Sequence, residues 1–366
     1  MGISQQMSDC SNTMLFHLFP GTPVQKISLI IYPILDPMMT MKHLFTILLL
    51  CSLSTTSILA QNYKQEFEKL CEQGDTAKQK KLLEKWEKSR PNDAELYIAY
   101  FNFYVSRSKT EIVTKVSHPD ADTKPKAKKQ TGYTSEIGYR ADPLGKGFKY
   151  INAGIAKYPD RLDMRFGKVY MLGETYKYAA LTQELVNVLN YSTTIQNKWK
   201  WTDNKLLDKP EDFMLSAIQE YVATIYNSGK SQADNMKEIA ETVLKYYPKH
   251  VESLSDLGIV YTMKGDLNMA LRYFLKATAI EPKDFIVLNN IANIYNKKKD
   301  TTNAVKYYEQ ALKFGDTEAK ELAGKELKRL ARKPAATNTA AKAKTTAPAK
   351  KSAATSTNKK APKKKS

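Results

Sequence analysis

Residues 251–284, which read VESLSDLGIVYTMKGDLNMALRYFLKATAIEPKD, decide the fold. Apolar and small side chains recur in this stretch every three or four residues, which is the spacing of one face of an α-helix. Gly265 and Asp266 interrupt the pattern, because glycine tolerates left-handed backbone angles and aspartate caps a new helix. Pro282 ends the second run, since proline cannot continue a helix. The stretch therefore predicts two helices joined by a short turn.

The next stretch, residues 285–318, repeats the same pattern in phase. Small residues recur where the two helices of each pair must approach closely. Asp316 stands where the first unit has its closing proline, as expected if the array ends there. The positions that define the repeat are Leu257, Gly258, Tyr261, Ala270, Phe274, Ala277 and Pro282 in the first unit, and Tyr295, Ala304, Tyr308 and Ala311 in the second.

Both units resemble the tetratricopeptide repeat, whose marks are W-x-x-L-G-x-x-Y, A-x-x-x-F and a closing proline. Only the tryptophan position of the first unit differs, since Leu254 stands there. The resemblance implies an all-α fold, an α-solenoid of stacked antiparallel helix pairs over residues 61–332 that ends in a polar-faced cap at about 317–332. Weaker copies of the pattern lie at 66–91, 97–104, 145–159, 162–179 and 212–248.

Arrays that resemble this one usually bind a peptide or a partner helix in a concave groove lined by the first helix of each unit. An asparagine amide can both donate to and accept from a peptide backbone. The basic residues that would complete a carboxylate clamp are not evident nearby, and a merely solvated polar face is the alternative. The expected groove residues are Ile259, Thr262, Met263, Ile286, Asn289, Asn290, Asn293 and Asn296, with Glu252, Ser255, Asp256 and Lys297 at further inward positions.

Two segments interrupt the repeat pattern. Residues 106–144 show no strong apolar period and contain the basic run KPKAKK, so a long, exposed, disordered loop is expected. Trp199 and Trp201 lie between the better-defined stretches. Tryptophans in a connecting segment usually pack against the adjacent helices, which we favour over a membrane or partner contact.

The amino-terminal region resembles a secretory signal that does not begin at the first residue. Lys42 and His43 precede an apolar run, and small residues follow as far as Ala60. We expect translation to start at Met41, residues 1–40 to be a spurious or unstructured extension, and 41–60 to be a cleaved signal peptide. The expected location is periplasmic; an uncleaved membrane anchor is the alternative.

The charge of the chain is concentrated in its carboxyl-terminal tail. Lysine and arginine number 57 against 38 aspartates and glutamates, a net charge of +19. Residues 333–366 contain ten lysines and no acid. Because the tail also lacks large apolar residues, we expect it to be disordered. It is either a solubilising tail or an arm for an anionic polymer or membrane surface; specific nucleic-acid recognition is not expected, since it has no arginine or aromatic residue.

Nothing in the sequence indicates catalysis. Three cysteines and four scattered histidines offer no disulfide framework and no metal cluster, so no metal and no cofactor are expected. No nucleotide-binding or hydrolase motif is present. The sequence therefore predicts a non-catalytic extracytoplasmic scaffold that binds a protein or peptide on its concave face. The alternatives are an envelope-associated polyanion adaptor acting through the tail, an enzyme with the solenoid as platform, and a cytoplasmic protein made from Met1.

Overall fold

The structure, a computed structural model, describes residues 62–117 and 131–332. The predictions for residues 1–60 and 333–366 lie outside these ranges. The described chain forms α1 (62–72), α2 (Thr76–Ser89), α3 (Ala94–Ser108), β1 (Lys109–Ser117), β2 (Thr131–Tyr139), α4 (Ala141–Lys157), α5 (Leu162–Glu174), α6 (Tyr178–Thr194), α7 (Pro210–Asn227), α8 (Ala233–Tyr246), α9 (Val251–Lys264), α10 (Leu267–Ile280), α11 (Phe285–Lys297), α12 (Thr301–Phe314) and α13 (Thr317–Arg332).

The helices from α1 to α12 form six consecutive pairs, which stack in chain order and end at α13. Within each pair we call the odd-numbered member the first helix and the even-numbered member the second helix. Neighbouring pairs share apolar clusters; Ile259 of α9, for example, packs against both the preceding and the following cluster. The predicted α-solenoid is confirmed.

We call α9–α10 and α11–α12 the regular units, and in each of them an aspartate caps the amino terminus of the second helix. The Asp266 carboxylate accepts a hydrogen bond from the backbone N–H of Met269 at 3.0 Å. Asp300 does the same for Asn303 at 3.1 Å in the next unit. Each bond satisfies one of the backbone donors that a helix start leaves unpaired. Gly265 precedes the first of these caps with φ +84°, a left-handed conformation that glycine adopts without strain.

Small residues allow the two helices of a unit to pack closely. A Cβ atom added at Gly258 would lie 2.5 Å from the ring of Phe274. The aromatic ring therefore occupies the space that any larger residue at 258 would need. Phe274 and its neighbours Ala270 and Ala277 are buried, and together they form the inner seam of α9 and α10.

A β-hairpin interrupts the second helix pair. Strands β1 and β2 pair antiparallel, from Lys109 opposite Tyr139 to Ser117 opposite Thr131. The prediction of a disordered loop over 106–144 was therefore wrong for the described part of that range, whose ends also belong to α3 and α4. The strands carry β-branched and aromatic residues that favour extended structure, a pattern that a search for helical periodicity does not detect.

The segment between α6 and α7 returns to the turn between α4 and α5. The Lys200 N–H donates to the carbonyl of Asp160 at 2.9 Å, and the Leu162 N–H donates to the carbonyl of Lys200 at 3.0 Å. Trp199 is 0% exposed within the cluster formed by α5 to α8. The expected packing of this tryptophan is confirmed. Among the described residues, no helix combines the length and the apolar character needed to cross a bilayer.

Candidate functional site

The predicted groove residues lie on two first helices that belong to one apolar cluster. Val251 and Leu254 of α9 and Val287 and Ile291 of α11 are buried together with the second helix α10 between them. The eight predicted side chains differ in exposure: Ile286 and Asn293 are exposed, while Ile259, Thr262, Met263, Asn289, Asn290 and Asn296 are half-buried.

Several of these residues have structural roles that limit their availability to a ligand. Ile259 and Met263 pack against the cluster of α5 to α8, so they help to join neighbouring pairs. Asn296 contacts the Tyr308 hydroxyl of α12. The Asn289 Oδ1 atom is buried and has no hydrogen-bond partner among the described residues. The Thr262 hydroxyl donates to the Gly258 carbonyl at 2.8 Å. Ile286, Asn290 and Asn293 therefore remain the candidates for contact with a partner, and their role stays a prediction.

A polar seam joins α7 to α9 beside these residues. The Gln219 amide donates to the Ser253 hydroxyl at 3.3 Å, and the Ser253 hydroxyl lies 3.0 Å from His250 Nδ1. Asp256 is one turn further along α9 and only 8% exposed, and its Oδ2 atom has no partner in the described part of the chain. The repeat pattern predicts an inward position for Asp256, but it gives no sign of Gln219 or His250, because no motif marks a contact between two repeats.

Burial dominates the electrostatics of this seam. It raises the pKa of Asp256 to about 7, and the nearby Glu252 carboxylate raises that pKa further, whereas the hydrogen bond from Gln219 opposes the shift. Burial also lowers the pKa of His250, an effect that Glu252 opposes at an Nε2–Oε2 distance of 3.4 Å. Asp256 is thus a carboxyl group that exchanges its proton near neutral pH.

Ser253, His250 and Glu252 together resemble part of a hydrolase triad, but their surroundings do not fit catalysis. The Ser253 side chain is 0% exposed, so a substrate carbonyl cannot reach its hydroxyl. His250 Nδ1 also accepts a hydrogen bond from the backbone N–H of Ser253 at 3.3 Å. The group therefore acts as the amino-terminal cap of α9.

We define the first-helix face as the side of α7, α9 and α11 that carries Gln219, Glu220, Glu252, Asp256, Asn289, Asn290 and Asn293. Helices α7, α9 and α11 have a net charge of −3, whereas their partners α8, α10 and α12 have a net charge of +2. The first helices thus carry a slight formal excess of acids in a chain whose total charge is +19.

A separate cleft of about 370 Å³ lies where α8, α9 and α10 meet. Its apolar lining includes Leu244, Leu254, Leu257 and Tyr273, and its charged lining consists of Glu241, Lys245 and Lys276. Among the residues that the structure describes, no group of three or more His, Cys, Asp or Glu side chains could hold a metal ion.

The comparisons with known proteins point to the repeat. A family model described as the tetratricopeptide repeat matches residues 251–284 and 286–314. An N-terminal acetyltransferase A complex subunit-like protein of Schizosaccharomyces pombe is 32% identical over 83 residues. That match covers 23% of this chain and 12% of the relative, so the chain spans only a small part of the relative's length.

Solved structures that resemble this chain include PilW, a type IV pilus biogenesis factor, at a TM-score of 0.35 and 12% identity, covering 72% of this chain and 98% of PilW. MamA has a TM-score of 0.31 and 16% identity, covering 50% and 91% of the two chains. A thermophilic TPR protein of Thermus thermophilus has a TM-score of 0.27 and 13% identity, covering 73% and 98%. TM-scores this low do not relate the proteins in function.

Proposed function

We propose that this chain is a non-catalytic extracytoplasmic scaffold that binds a protein or peptide partner on its first-helix face. The observation that carries the proposal is a pair of tetratricopeptide units, the second of which presents Asn290 and Asn293 on its first helix beside a buried apolar cluster. Side-chain amides at helical spacing can hydrogen-bond an extended backbone without selecting one sequence. The amides of Asn290 and Asn293 are therefore suited to binding a peptide backbone.

Two further observations support parts of this proposal. The Ser253 hydroxyl is inaccessible, so the group of Ser253, His250 and Glu252 does not fit catalysis. The basic start, apolar run and small residues of 41–60 support export through the general secretory route. Mass spectrometry of the mature protein tests export directly, and Gln61 is the expected first residue.

Crosslinking followed by capture from envelope extract tests the binding role. The full-length chain should crosslink a partner at α9 and α11. Changing Asn290→Tyr and Asn293→Tyr should abolish this capture, because bulky side chains fill the space in which a ligand backbone would lie. The matched control places the same side chains on the second helix α10, as Leu275→Tyr and Ala279→Tyr, at two exposed positions.

The outcomes separate binding at this face from binding elsewhere. Loss of capture with the α11 variant alone supports the proposal, provided that the helical content of both variants is unchanged. Equal capture by both variants would remove the first-helix face as the binding site.

The second candidate function is a polyanion adaptor acting through the tail, which the ten lysines and absent acids of 333–366 favour. Binding through such a tail should weaken steeply as salt is added, because each phosphate or carboxylate contact releases a counterion. Deleting 333–366 decides between the two functions. The tail, and not the first-helix face, is the binding site if two results are found together. Binding by the full-length chain weakens as salt is added, and the deletion abolishes binding.

A further inference from the structure

The hairpin of β1 and β2 has both of its faces open to solvent. Residues 109–114 of β1 are all exposed, and so are residues 133–137 of β2. Successive side chains of a strand point to opposite faces, so these exposed runs mean that the described chain covers neither face there. Among the described residues the sheet has these two strands only. A two-stranded hairpin is marginally stable in water, and further strands would support it.

Large apolar side chains meet on one face of the hairpin. Val113, Tyr133 and Ile137 are 60%, 70% and 63% exposed. The register places Ser135 opposite Val113, so Tyr133 and Ile137, two residues to either side of Ser135, are the diagonal neighbours of Val113 on the same face. This apolar face therefore extends across the hairpin to β1.

The outer edge of β1 offers backbone groups to a further strand. The Arg140 N–H donates to the Ser108 carbonyl at 2.7 Å, so these two residues form a hydrogen-bonded pair at the base of the ladder. Hydrogen-bonded and non-hydrogen-bonded pairs alternate along an antiparallel ladder. The backbone N–H and C=O groups of Glu111 and Val113, which are three and five residues after Ser108, therefore point outward, away from β2.

This outer edge is complementary to itself. If two copies pair antiparallel about a two-fold axis at Val113, the nine residues of both strands overlap in full, and Glu111 of each copy lies opposite Lys115 of the other. An axis one residue earlier would instead bring Lys109 opposite Lys115. One carboxylate oxygen of Glu111 accepts a hydrogen bond from the Ser135 hydroxyl, and the other can accept from a lysine. Opposite charges directly across a ladder stabilise the pairing.

We infer that two copies of this chain pair through the outer edges of their β1 strands and form a four-stranded antiparallel sheet in the order β2–β1–β1–β2. The outward backbone groups of Val113 in one copy bond those of Val113 in the other, and the two apolar faces become continuous. The same patch serves in both copies, so the interface closes at a dimer. The inference concerns a different part of the chain from the first-helix face and does not rest on the proposed function.

The charges favour β1 over the other open edge of the hairpin. A two-fold axis at Ser135 would pair two β2 strands and place Glu136 opposite Thr134, without any pair of opposite charges. Charged residues on a sheet edge usually prevent pairing with another chain. The edge of β1 differs because the two-fold axis at Val113 matches its acidic and basic residues.

Cysteine crosslinking of the full-length chain tests the register. The native Cys10, Cys51 and Cys71 are first changed to alanine, and Val113→Cys then places one thiol at the axis. Opposite residues of a hydrogen-bonded pair have Cα atoms about 5.5 Å apart, a distance that suits a disulfide, so mild oxidation should give a covalent dimer. The matched control is Ser135→Cys on the same face. Its two thiols would be three strand spacings apart, about 14 Å, and should give at least about fivefold less dimer.

Charge exchange tests the same pairing without cysteines. Glu111→Lys or Lys115→Glu alone replaces two pairs of opposite charges with two like-charge contacts, so the dissociation constant of the dimer should rise about tenfold. Both changes together restore opposite charges and should restore the dimer. The matched control, Glu136→Lys, makes the same change at an exposed residue of β2 and should leave the constant unchanged. Sedimentation at about 0.15 M salt, which largely screens long-range repulsion between two basic copies, measures all four variants.

The outcomes decide between this interface and its rivals. A disulfide at position 113, together with rescue of the dimer by the double charge exchange, supports the inference. A disulfide that forms preferentially at position 135 assigns the pairing to β2 and overturns the inference. A chain that stays monomeric, or a dimer that neither single charge change weakens, overturns it as well. If Val113→Cys disturbs the hairpin, the charge exchange decides alone, and capture of a partner at α9 and α11 is tested separately from all of these results.

Discussion

The carboxyl-terminal pairs, α9 to α12, and the amino-terminal pairs, α1 to α6, reach the same architecture by different means. In the carboxyl-terminal pairs the same contacts return unit by unit. Tyr261 stacks on Tyr273 at 5.5 Å between ring centroids, and Tyr295 stacks on Tyr307 at 5.6 Å. Such contacts are local in sequence, so each unit carries the information for its own packing.

The amino-terminal pairs depend on residues that are distant in sequence. Arg161 is 0% exposed, and its guanidinium lies 2.6 Å from the Asp163 carboxylate and 2.8 Å from the Glu95 carboxylate of α3. The returning segment joins this network, since the Asp203 N–H donates to Glu95 at 2.9 Å and the Asp203 carboxylate pairs with Lys64 of α1 at 3.1 Å. The comparison shows that where the repeat pattern weakens, a buried ionic network joins the pairs.

Removing Arg161 should give the largest effect and tests this comparison directly. Arg161→Ala leaves the carboxylates of Asp163 and Glu95 buried without a counterion, which should lower the free energy of unfolding by about 3–5 kcal/mol. Denaturant unfolding measures the loss, and hydrogen exchange locates it. Protection should fall in α3 and α5 but not in α9 to α12.

The control for this prediction is Lys146→Ala, which removes an exposed partner of Asp142 at 2.9 Å. No measurable change is expected, because exposed ion pairs contribute little. If Arg161→Ala instead lowers hydrogen-exchange protection equally in the amino-terminal pairs and in α9 to α12, the two regions unfold as one cooperative unit.

The second prediction concerns Asp256, which joins α7 to α9 and so lies between the two kinds of region. Its pKa is about 7 in the folded chain and near 3.8 in the unfolded chain. Between these values the folded state holds one more proton, so the contribution of this group to stability falls as the pH rises from about 4 to about 7 and is constant above. Over this pH range the free energy of unfolding falls by up to about 4 kcal/mol because of this group.

Asp256→Asn removes this titration. The stability of the variant relative to the native chain should therefore rise between pH 4 and pH 7 and level off above, as followed by denaturant midpoints at several pH values. His250 titrates in both proteins, so its contribution largely cancels in the difference. A difference that does not change with pH would mean that Asp256 has an ordinary pKa.

The third prediction uses glycines from the two regions. Gly258→Ala in α9 places a Cβ atom 2.5 Å from the Phe274 ring and should cost about 1–3 kcal/mol, despite the better helix propensity of alanine. Gly145→Ala in α4 meets nothing within 4 Å and should stabilise the chain by up to about 1 kcal/mol. Thermal unfolding of the two variants measures both, and stabilisation by both would show that the α9–α10 seam is looser than the structure indicates.

The same comparison explains what the sequence could and could not predict. Gly265, Asp266 and Pro282 act within one unit, so the regular helices and their limits were predictable from local chemistry. Glu95 and Arg161 are far apart in the chain, and no spacing rule connects them. The hairpin of β1 and β2 was missed because short strands rich in threonine and valine resemble a polar loop when only helical periods are considered.

The candidate face was predicted in part for the same reason. The asparagines of α11 stand at repeat positions, so the resemblance placed them on one face. The junction of Gln219 with Ser253 involves α7, whose repeat pattern is degenerate, and it could not be read from either helix alone. The charge difference between first and second helices becomes visible only when the structure assigns each residue to a helix.

The last prediction concerns the turn inside a helix pair, where the regular units themselves differ. Gly265 occupies this turn with φ +84°, but Lys299 occupies it one unit later with φ +62°, and Tyr176 occupies it in the third pair with φ +57°. A side chain with a Cβ atom is strained in this conformation, so Lys299→Gly and Tyr176→Gly should each stabilise the chain by about 1 kcal/mol. The control is Lys298→Gly. Lys298 is next to Lys299 but has φ −77°, so this change should not stabilise the chain. A small rise in the thermal midpoint of Lys299→Gly and Tyr176→Gly, but not of Lys298→Gly, would show that the strained turn is common to both regions. A rise for Tyr176→Gly only would mean that packing in the regular units relieves the strain at Lys299.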